Sequence, residues 1–338
     1  MNQTERLENC FADKTVLVTG HTGFKGSWLS AWLHELGARV VGLSDRVPTD
    51  PANFDASRIH DLVVDHRCDL GDRENLQKIV EATRPDFIFH LAAQALVRES
   101  YARPVETLMT NIMGTAHVLD SVRDLGYPCV IVLITSDKCY DNVEWEWGYR
   151  ENDRLGGKDP YSASKGGAEL VIRTFFESWL RDSDIRVGIA RAGNVIGGGD
   201  WAADRLVPDC VRAWSDEKSV VVNNPAATRP WQLVLEPLSG YLALAMALAE
   251  APTLQGEAFN FGPLAENDYS VAELIGAMQG QWDHVRWETA ANTVERVYEA
   301  GLLKLNCDKA LHHLAWRPTY GFEETVTATM AWYQRYYE

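Results

Sequence analysis

Lys14-Thr15-Val16-Leu17-Val18-Thr19-Gly20-His21-Thr22-Gly23-Phe24-Lys25-Gly26 decides the fold of this chain. Its first six residues are a short apolar, β-branched run that reads as a buried strand. Glycines at 20, 23 and 26 follow at once. Ser27 to Leu36 then places Trp28, Leu29, Trp32, Leu33 and Leu36 at helical spacing. Strand, glycine turn and helix in that order are the context a dinucleotide fingerprint requires. Gly20 permits the tight turn, Gly23 lets the backbone approach a pyrophosphate, and Gly26 lets the helix pack close to the strand. The helix N-terminus adds its dipole and free N–H groups. The spacing is G-x-x-G-x-x-G rather than G-x-G-x-x-G.

Working outward, the next strand is Ala38-Arg39-Val40-Val41-Gly42-Leu43. An acidic residue at its end would grip the adenine ribose. Here the end reads Ser44-Asp45-Arg46. Asp45 suits NAD, whereas Ser44 and Arg46 suit a 2′-phosphate, so NAD is favoured over NADP without excluding it. Further strands read at Leu62–His66, Asp86–His90, Val130–Thr135 and Arg186–Arg191, with helical patterns at Arg73–Ala82 and Pro104–Leu125. This alternation predicts an α/β fold of Rossmann type, a doubly wound parallel sheet with helices on both faces. Ligands of such sheets sit outside the carboxyl ends of the strands. Asp69-Leu70, Ala92-Ala93-Gln94, Asn111 and Ser136 fall there or on the helix behind. Asp69 also reads as a plain helix cap.

Tyr161 and Lys165 are four apart in a predicted helix over 160–181, so they share a face. A phenol with a pKa of about 10 is a poor base at neutral pH. A fixed ammonium favours the phenolate, which can then take a proton from an alcohol. Thr135-Ser136-Asp137-Lys138 lies upstream at a strand end, where sites occur in this fold. An exposed charge pair is the plainer reading of Asp137-Lys138.

Composition sets the outer bounds. Of 338 residues, 32 are basic and 48 acidic, giving a net charge of −16. That balance argues against nucleic acid and anionic membranes as partners. An anionic substrate therefore needs a local gathering of positive charge, and guanidinium forks suit diphosphates. Arg191, Asn194, Arg205, Arg212 and Arg229 are the candidates. Six cysteines without a C-x-x-C pair suggest reduced thiols in a cytoplasmic protein. The adjacent His312 and His313 lack ligand spacing, so no metal is expected. Met1–Asp13 is polar and reads as no signal peptide. Tyr241–Ala249 is too short to span a bilayer and reads as a buried helix.

Several longer strings now carry a resemblance. They are His90-Leu91-Ala92-Ala93-Gln94, Thr110-Asn111-Ile112-Met113-Gly114-Thr115, Thr135 to Tyr140, Gly148 to Asp153, Asp159 to Lys165, Arg191 to Trp201 and Arg229-Pro230-Trp231-Gln232. With the glycine turn, they make the chain resemble the extended short-chain dehydrogenase/reductase superfamily. Within it the likeness is to the sugar-nucleotide 4,6-dehydratases, and among those to the CDP-glucose branch, over about residues 12 to 335. The glycine turn and Tyr-x-x-x-Lys carry only the superfamily. Arg191–Trp201 and Asp137-Lys138 carry the narrower likeness.

The resemblance implies NAD-dependent conversion of CDP-glucose to a CDP-4-keto-6-deoxy sugar. Tyr161, with Ser136 and Lys165, would act at the C4 hydroxyl. Asp137 would protonate the leaving C6 hydroxyl. Lys138, where the dTDP-glucose branch has Glu, would be the C5 base or an enolate stabiliser. Gly20, Gly23, Phe24, Lys25, Gly26, Ser44, Asp45, Asp69, Leu70, Leu91, Ala92, Ala93, Asn111, Tyr161 and Lys165 would line the cofactor. Gln94, Asn194, Arg205 and Arg229 would hold the substrate. A 4-epimerase needs Ser, Tyr and Lys but no acid and base at the elimination position, so Asp137-Lys138 weighs against it. A silent dinucleotide-binding regulator would have lost the Tyr or Lys.

The expected organisation is a cofactor-binding body over 12–191 with 229–257, and a smaller lobe over 192–228 and 259–338. Helices near 104–125 and 160–181 carry wide apolar faces. In the resembled superfamily such helices form a dimer seam, which implies a homodimer or a dimer of such dimers; packing on the chain's own sheet is the alternative.

Overall fold

The computed structural model describes residues 3–264, 269–283, 285–289 and 302–338. Seven parallel strands make one sheet: β1 (Thr15–Thr19), β2 (Arg39–Ser44), β3 (Val64–Arg67), β4 (Phe87–His90), β5 (Cys129–Ile134), β6 (Ile185–Ala192) and β7 (Ala258–Phe261). Their order is β7-β6-β5-β4-β1-β2-β3, every neighbouring pair being parallel. Chain order reverses between β1 and β4, so a crevice opens at their carboxyl ends.

Strand periodicity assigns the two faces. Val16 and Val18 of β1, with Val130 and Val132 of β5, enter one core with helices Phe24–Glu35 and Leu235–Glu250. Leu17 of β1 and Ile131 and Leu133 of β5 enter the opposite core with helices Arg73–Thr83, Gly114–Arg123 and Pro160–Phe175. Both faces are covered, which is why the strands read as apolar runs.

The helix predicted over Pro104–Leu125 is interrupted. It runs as Pro104–Leu108, a π-turn at Met109–Met113, and Gly114–Arg123. A second π-turn, Phe176–Leu180, ends the Pro160–Phe175 helix. An amino-terminal helix, Gln3–Phe11, is also present; its Leu7 and Phe11, one turn apart, are buried under the sheet.

A third core joins Trp201, Val207, Val211, Trp214, Val222 and Trp231 to Leu274, Ile275, Met278, Phe322, Val326 and Tyr333. The boundary expected at residue 259 lies inside β7, which pairs with β6. Phe259 and Phe261 are fully buried in the main core, as is Trp316 nearly so. The chain therefore passes between the cores after Ala192, Trp231, Phe261, Trp287 and Trp316. Glu257-Ala258-Phe259-Asn260-Phe261-Gly262 reads as a strand and turn, and the strand is there; four alternating residues carry too little pattern to say which body it joins. Part of the Met278–Thr293 stretch, irregular by sequence, lies outside the described residues; Trp287–Thr289 pairs with Val220–Val222.

Candidate active site

The glycine turn leaves β1 with Gly20 at φ +75°, a conformation that suits glycine. A Cβ there would lie 2.7 Å from the Ala92 nitrogen, and one on Gly26 would lie 2.0 Å from the Gly20 oxygen. The two carboxyl ends of the switch point thus meet backbone to backbone. Leu91 N–H donates to the Thr19 carbonyl at 3.1 Å and Ala92 N–H to Thr19 Oγ1 at 3.2 Å. Gly23 is the N-cap of Phe24–Glu35. A cradle that side chains would fill, opening on a helix N-terminus, fits a pyrophosphate.

The β2 end is organised by His21, which the sequence did not mark. Its ring occupies the space that Gly42 leaves: a Cβ on Gly42 would lie 2.2 Å from it. Nδ1 pairs with Ser44 Oγ at 2.9 Å and Nε2 with Asp65 Oδ1 at 3.0 Å. Ser44 is therefore buried and engaged, while Asp45 is exposed and accepts from its neighbour Arg46 N–H. Asp69 is exposed and accepts from Gly71 N–H at 2.7 Å, whereas Asp72 caps the Arg73–Thr83 helix. Leu70 is buried, and Leu91, Ala92 and Ala93 line the β4 exit half-buried.

Asn111 sits in the π-turn, where one extra residue turns its amide toward the crevice wall. It accepts from Gln94 N–H and donates to the Gln94 carbonyl and to Ser164 Oγ. The Gln94 side chain donates to the Leu96 carbonyl and Thr107 Oγ1 and accepts from Leu96 N–H. Both its ends are thus taken by its own loop.

The catalytic candidates lie on two elements. Asp159 caps the Pro160–Phe175 helix by accepting from Ser162 N–H, and Pro160 opens it. This start places Tyr161 and Lys165 on the buried face, at 8% and 6% exposure. Ser136, Asp137 and Lys138 follow β5 in a tight turn. Ser136 Oγ accepts from Lys138 N–H at 3.2 Å and donates to Asp137 Oδ1 at 2.9 Å.

The electrostatics correct one expectation. Lys165 Nζ lies 6.0 Å from the Tyr161 ring centre. Burial dominates Tyr161 and pushes it up to about 12, opposed first by its hydrogen bond with Ser136 and, more weakly, by Arg205. The phenol is set by Ser136 and by burial more than by Lys165. Burial also lowers Lys165 to about 8, against the charge of Glu169. It raises Asp137, opposed by Lys138, the Ser136 hydrogen bond and Lys25. The Asp137 carboxylate packs against the backbone of Gly193, where a Cβ would lie 3.1 Å from Oδ2.

Lys25 reaches through the glycine turn to this centre. Its ammonium donates to Tyr241 Oη at 3.4 Å, and burial lowers it to about 8 beside Arg205, Asp137 and Lys165. Arg205 is held by Asp200 Oδ2 at 2.8 Å. Lys25, Lys165 and Arg205 thus lie near one another, together with Asp137 and Asp200.

The remaining candidates divide. Asn194 is half-buried beyond β6. Arg229 donates to the Thr228 carbonyl, and Arg212 to Trp201, Ala202 and Asp209. Arg191 is not available to a phosphate: Glu169, Tyr140 and the Glu151 carbonyl take its donors. The sequence missed Glu169, although it continues the four-residue spacing of Tyr161 and Lys165. Among the described residues no group of His, Cys, Asp and Glu could hold a metal ion, and no helix is long and apolar enough to cross a membrane.

Residues 17–329 match the sequence profile described as GDP-mannose 4,6 dehydratase. The chain belongs to that family, within the short-chain dehydrogenase/reductase superfamily. A CDP-glucose 4,6-dehydratase of Salmonella typhimurium is 46% identical over 333 residues, spanning 97% of this chain and 92% of that protein. A dTDP-glucose 4,6-dehydratase of Xanthomonas campestris is 25% identical over 94% of this chain and 93% of its own. Among solved structures, the UDP-glucose-4-epimerase of Stenotrophomonas maltophila superposes with a TM-score of 0.83 at 21% identity, over 95% of this chain and 98% of that one. The dTDP-glucose 4,6-dehydratase of Bacillus anthracis, solved with NAD, gives 0.78 at 19% identity over 95% and 97%. The epimerase and dehydratase structures thus share one scaffold with this chain.

Proposed function

We propose that this chain dehydrates CDP-D-glucose to CDP-4-keto-6-deoxy-D-glucose. The observation that carries the reading is the meeting of two sets at one crevice: Tyr161 with Ser136 and Lys165, and Asp137 with Lys138. The first set suits oxidation of a secondary alcohol. The second suits an elimination and has no use in an epimerase. The relative at 46% identity supports the cytidine nucleotide.

The glycine cradle would hold NAD, which would supply the hydride chemistry of a dehydration that begins with oxidation at C4. Gly20, Gly23 and Gly26 would admit its pyrophosphate, and Asp45, exposed at the end of β2 while Ser44 is engaged by His21, would take its ribose. Tyr161 takes the C4 hydroxyl proton while Ser136 holds the same oxygen. The resulting ketone acidifies C5–H. Lys138 removes that proton, and Asp137, which burial favours in its protonated form, protonates the departing C6 hydroxyl so that water leaves. Proton return to C5 completes the product. Lys25 and Arg205 supply the positive field for the substrate's charge, with Asn194 and Arg229 on the smaller lobe as further contacts. The lobe built on the third core carries the nucleotide.

The helices Pro104–Leu108 and Pro160–Phe175 pack together yet leave Val105, Met109 and Leu170 exposed at 66%, 54% and 58%. We propose that a second copy covers this apolar stripe, making a homodimer. Six unpaired thiols agree with a cytoplasmic setting.

The test is direct. Incubation with CDP-glucose and NAD should give an alkaline-labile 4-keto chromophore and the loss of one water by mass. Unchanged mass with inverted C4 would instead identify an epimerase. Competition among CDP-, dTDP-, UDP- and GDP-glucose tests the base.

A further inference from the structure

We propose that the buried Glu169–Arg191 pair is a positioning device that holds the Ser136–Lys138 turn in register with the helix bearing Tyr161 and Lys165. The inference rests on the dehydratase reading above and concerns residues that touch neither sugar nor cofactor.

Glu169 and Arg191 have side chains only 2% and 4% exposed. Thr135, immediately before Ser136, donates its hydroxyl to Glu169 Oε1 at 2.6 Å. Arg191 Nε donates to the same oxygen at 2.7 Å, and Arg191 Nη2 donates to Oε2. On its other side, Arg191 Nη1 donates to Tyr140 Oη at 2.7 Å and to the Glu151 carbonyl at 2.9 Å. Tyr140 in turn donates to Asn260 Oδ1 at 2.8 Å, and Asn260 N–H donates to Glu151 Oε1 at 2.8 Å.

The consequence lies in the order of the residues. Thr135 and Tyr140 bracket the turn that carries Ser136, Asp137 and Lys138. One carboxylate grips the first bracket and one guanidinium the second. The carboxylate belongs to the helix of Tyr161 and Lys165, eight residues after the phenol and four after the ammonium, on the same face. The pair is therefore a rigid strut between the oxidation and elimination centres. β6 and β7 anchor it from below through Arg191 and Asn260. Its planar fork is the geometry in which arginine fixes orientation as well as charge.

Stability alone gives little reason for such a pair. Desolvating two ions offsets most of their attraction, and well-packed apolar residues are often as good. A misplacement of about 1 Å between reacting groups, by contrast, can cost about a hundredfold in rate. Oxidation and elimination act on neighbouring carbons of one hexose, so the chemistry demands that their two elements keep a fixed spacing.

Thr135→Val tests the strut with the least disturbance, since it removes one hydroxyl and keeps the shape. It should lower kcat at least about tenfold while the sugar-nucleotide KM stays within about twofold. Its melting temperature should remain near that of the parent, and Thr135→Ser, which returns the hydroxyl, should restore kcat. Arg191→Lys keeps the charge but loses the fork, and should show the same kcat loss at constant KM. If it does not fold, the Thr135 variants decide. The proposal is overturned if Thr135→Val keeps more than half of the parent kcat, or if its loss follows KM or melting temperature, or if Thr135→Ser fails to rescue. Assays use whichever of CDP-, dTDP-, UDP- or GDP-glucose the parent dehydrates, so a wrong base assignment leaves the test intact. A parent that dehydrates none of the four overturns the dehydratase reading and this inference together.

Discussion

Replacing Lys165 by Met should make the protein more stable at neutral pH while disabling it. Lys165 is 6% exposed, and burial lowers its pKa from 10.5 to about 8. At pH 7 the ammonium is present in both folded and unfolded chains, so the folded state bears the full cost of burying it. A shift of this size corresponds to roughly 3 kcal/mol, at 1.36 kcal/mol per unit. The sign follows from proton uptake. Between pH 8 and 10.5 the unfolded chain holds the proton that the folded chain has lost, so the parent gains stability as pH rises through that window. The Met variant lacks this ionisation. Its advantage should be largest below pH 8 and should shrink toward pH 10.5. Urea unfolding of cofactor-free parent and variant, measured in parallel from pH 7 to 10, reads the difference directly, and shared titrations cancel. A Met variant less stable than the parent at pH 7, or a difference that stays flat across the window, would refute the reasoning.

Four other outcomes are expected. Asp137→Asn should raise the melting temperature at neutral pH, because burial disfavours the carboxylate there; this stabilising effect should fade as pH falls toward the ordinary carboxylate range and be gone below it. The same variant should block water loss, so that absorbance at 340 nm accumulates on adding CDP-glucose. Gly26→Ala should weaken NAD binding at least about tenfold in a fluorescence titration, because its Cβ would fall 2.0 Å from the Gly20 oxygen; unchanged affinity would show that the turn relaxes freely. Val105→Glu with Leu170→Glu should give monomers by sedimentation, and a dimer that survived both charges would place the interface elsewhere.

What the sequence revealed was local. The β1–turn–helix unit is legible because thirteen consecutive residues carry the period change and the glycines together. Tyr161 and Lys165 are legible because one helical turn separates them. Distant pairings left no such trace. Arg191 looked like a phosphate ligand because its motif sits at a strand end, but Glu169 occupies its fork. Gln94 looked like a substrate contact, yet its amide is closed upon Leu96 and Thr107. His21 sat unnoticed between two fingerprint glycines, since only the gap at Gly42, on the neighbouring strand, gives it a place. The helical spacing does put Tyr161 and Lys165 on one buried face, but burial, which pushes the phenol up, leaves no mark in the sequence.

The repeated passage of the chain between its cores constrains how such a protein can change. No contiguous segment contains the smaller body, so a new sugar or base preference cannot be acquired by exchanging one block of sequence. Each graft would sever β7 or the Leu235–Glu250 helix from the sheet it completes. Diversification must then proceed by point changes at the rim. Calorimetry of the whole chain should show a single melting event, since the smaller body owns no uninterrupted stretch that could melt alone.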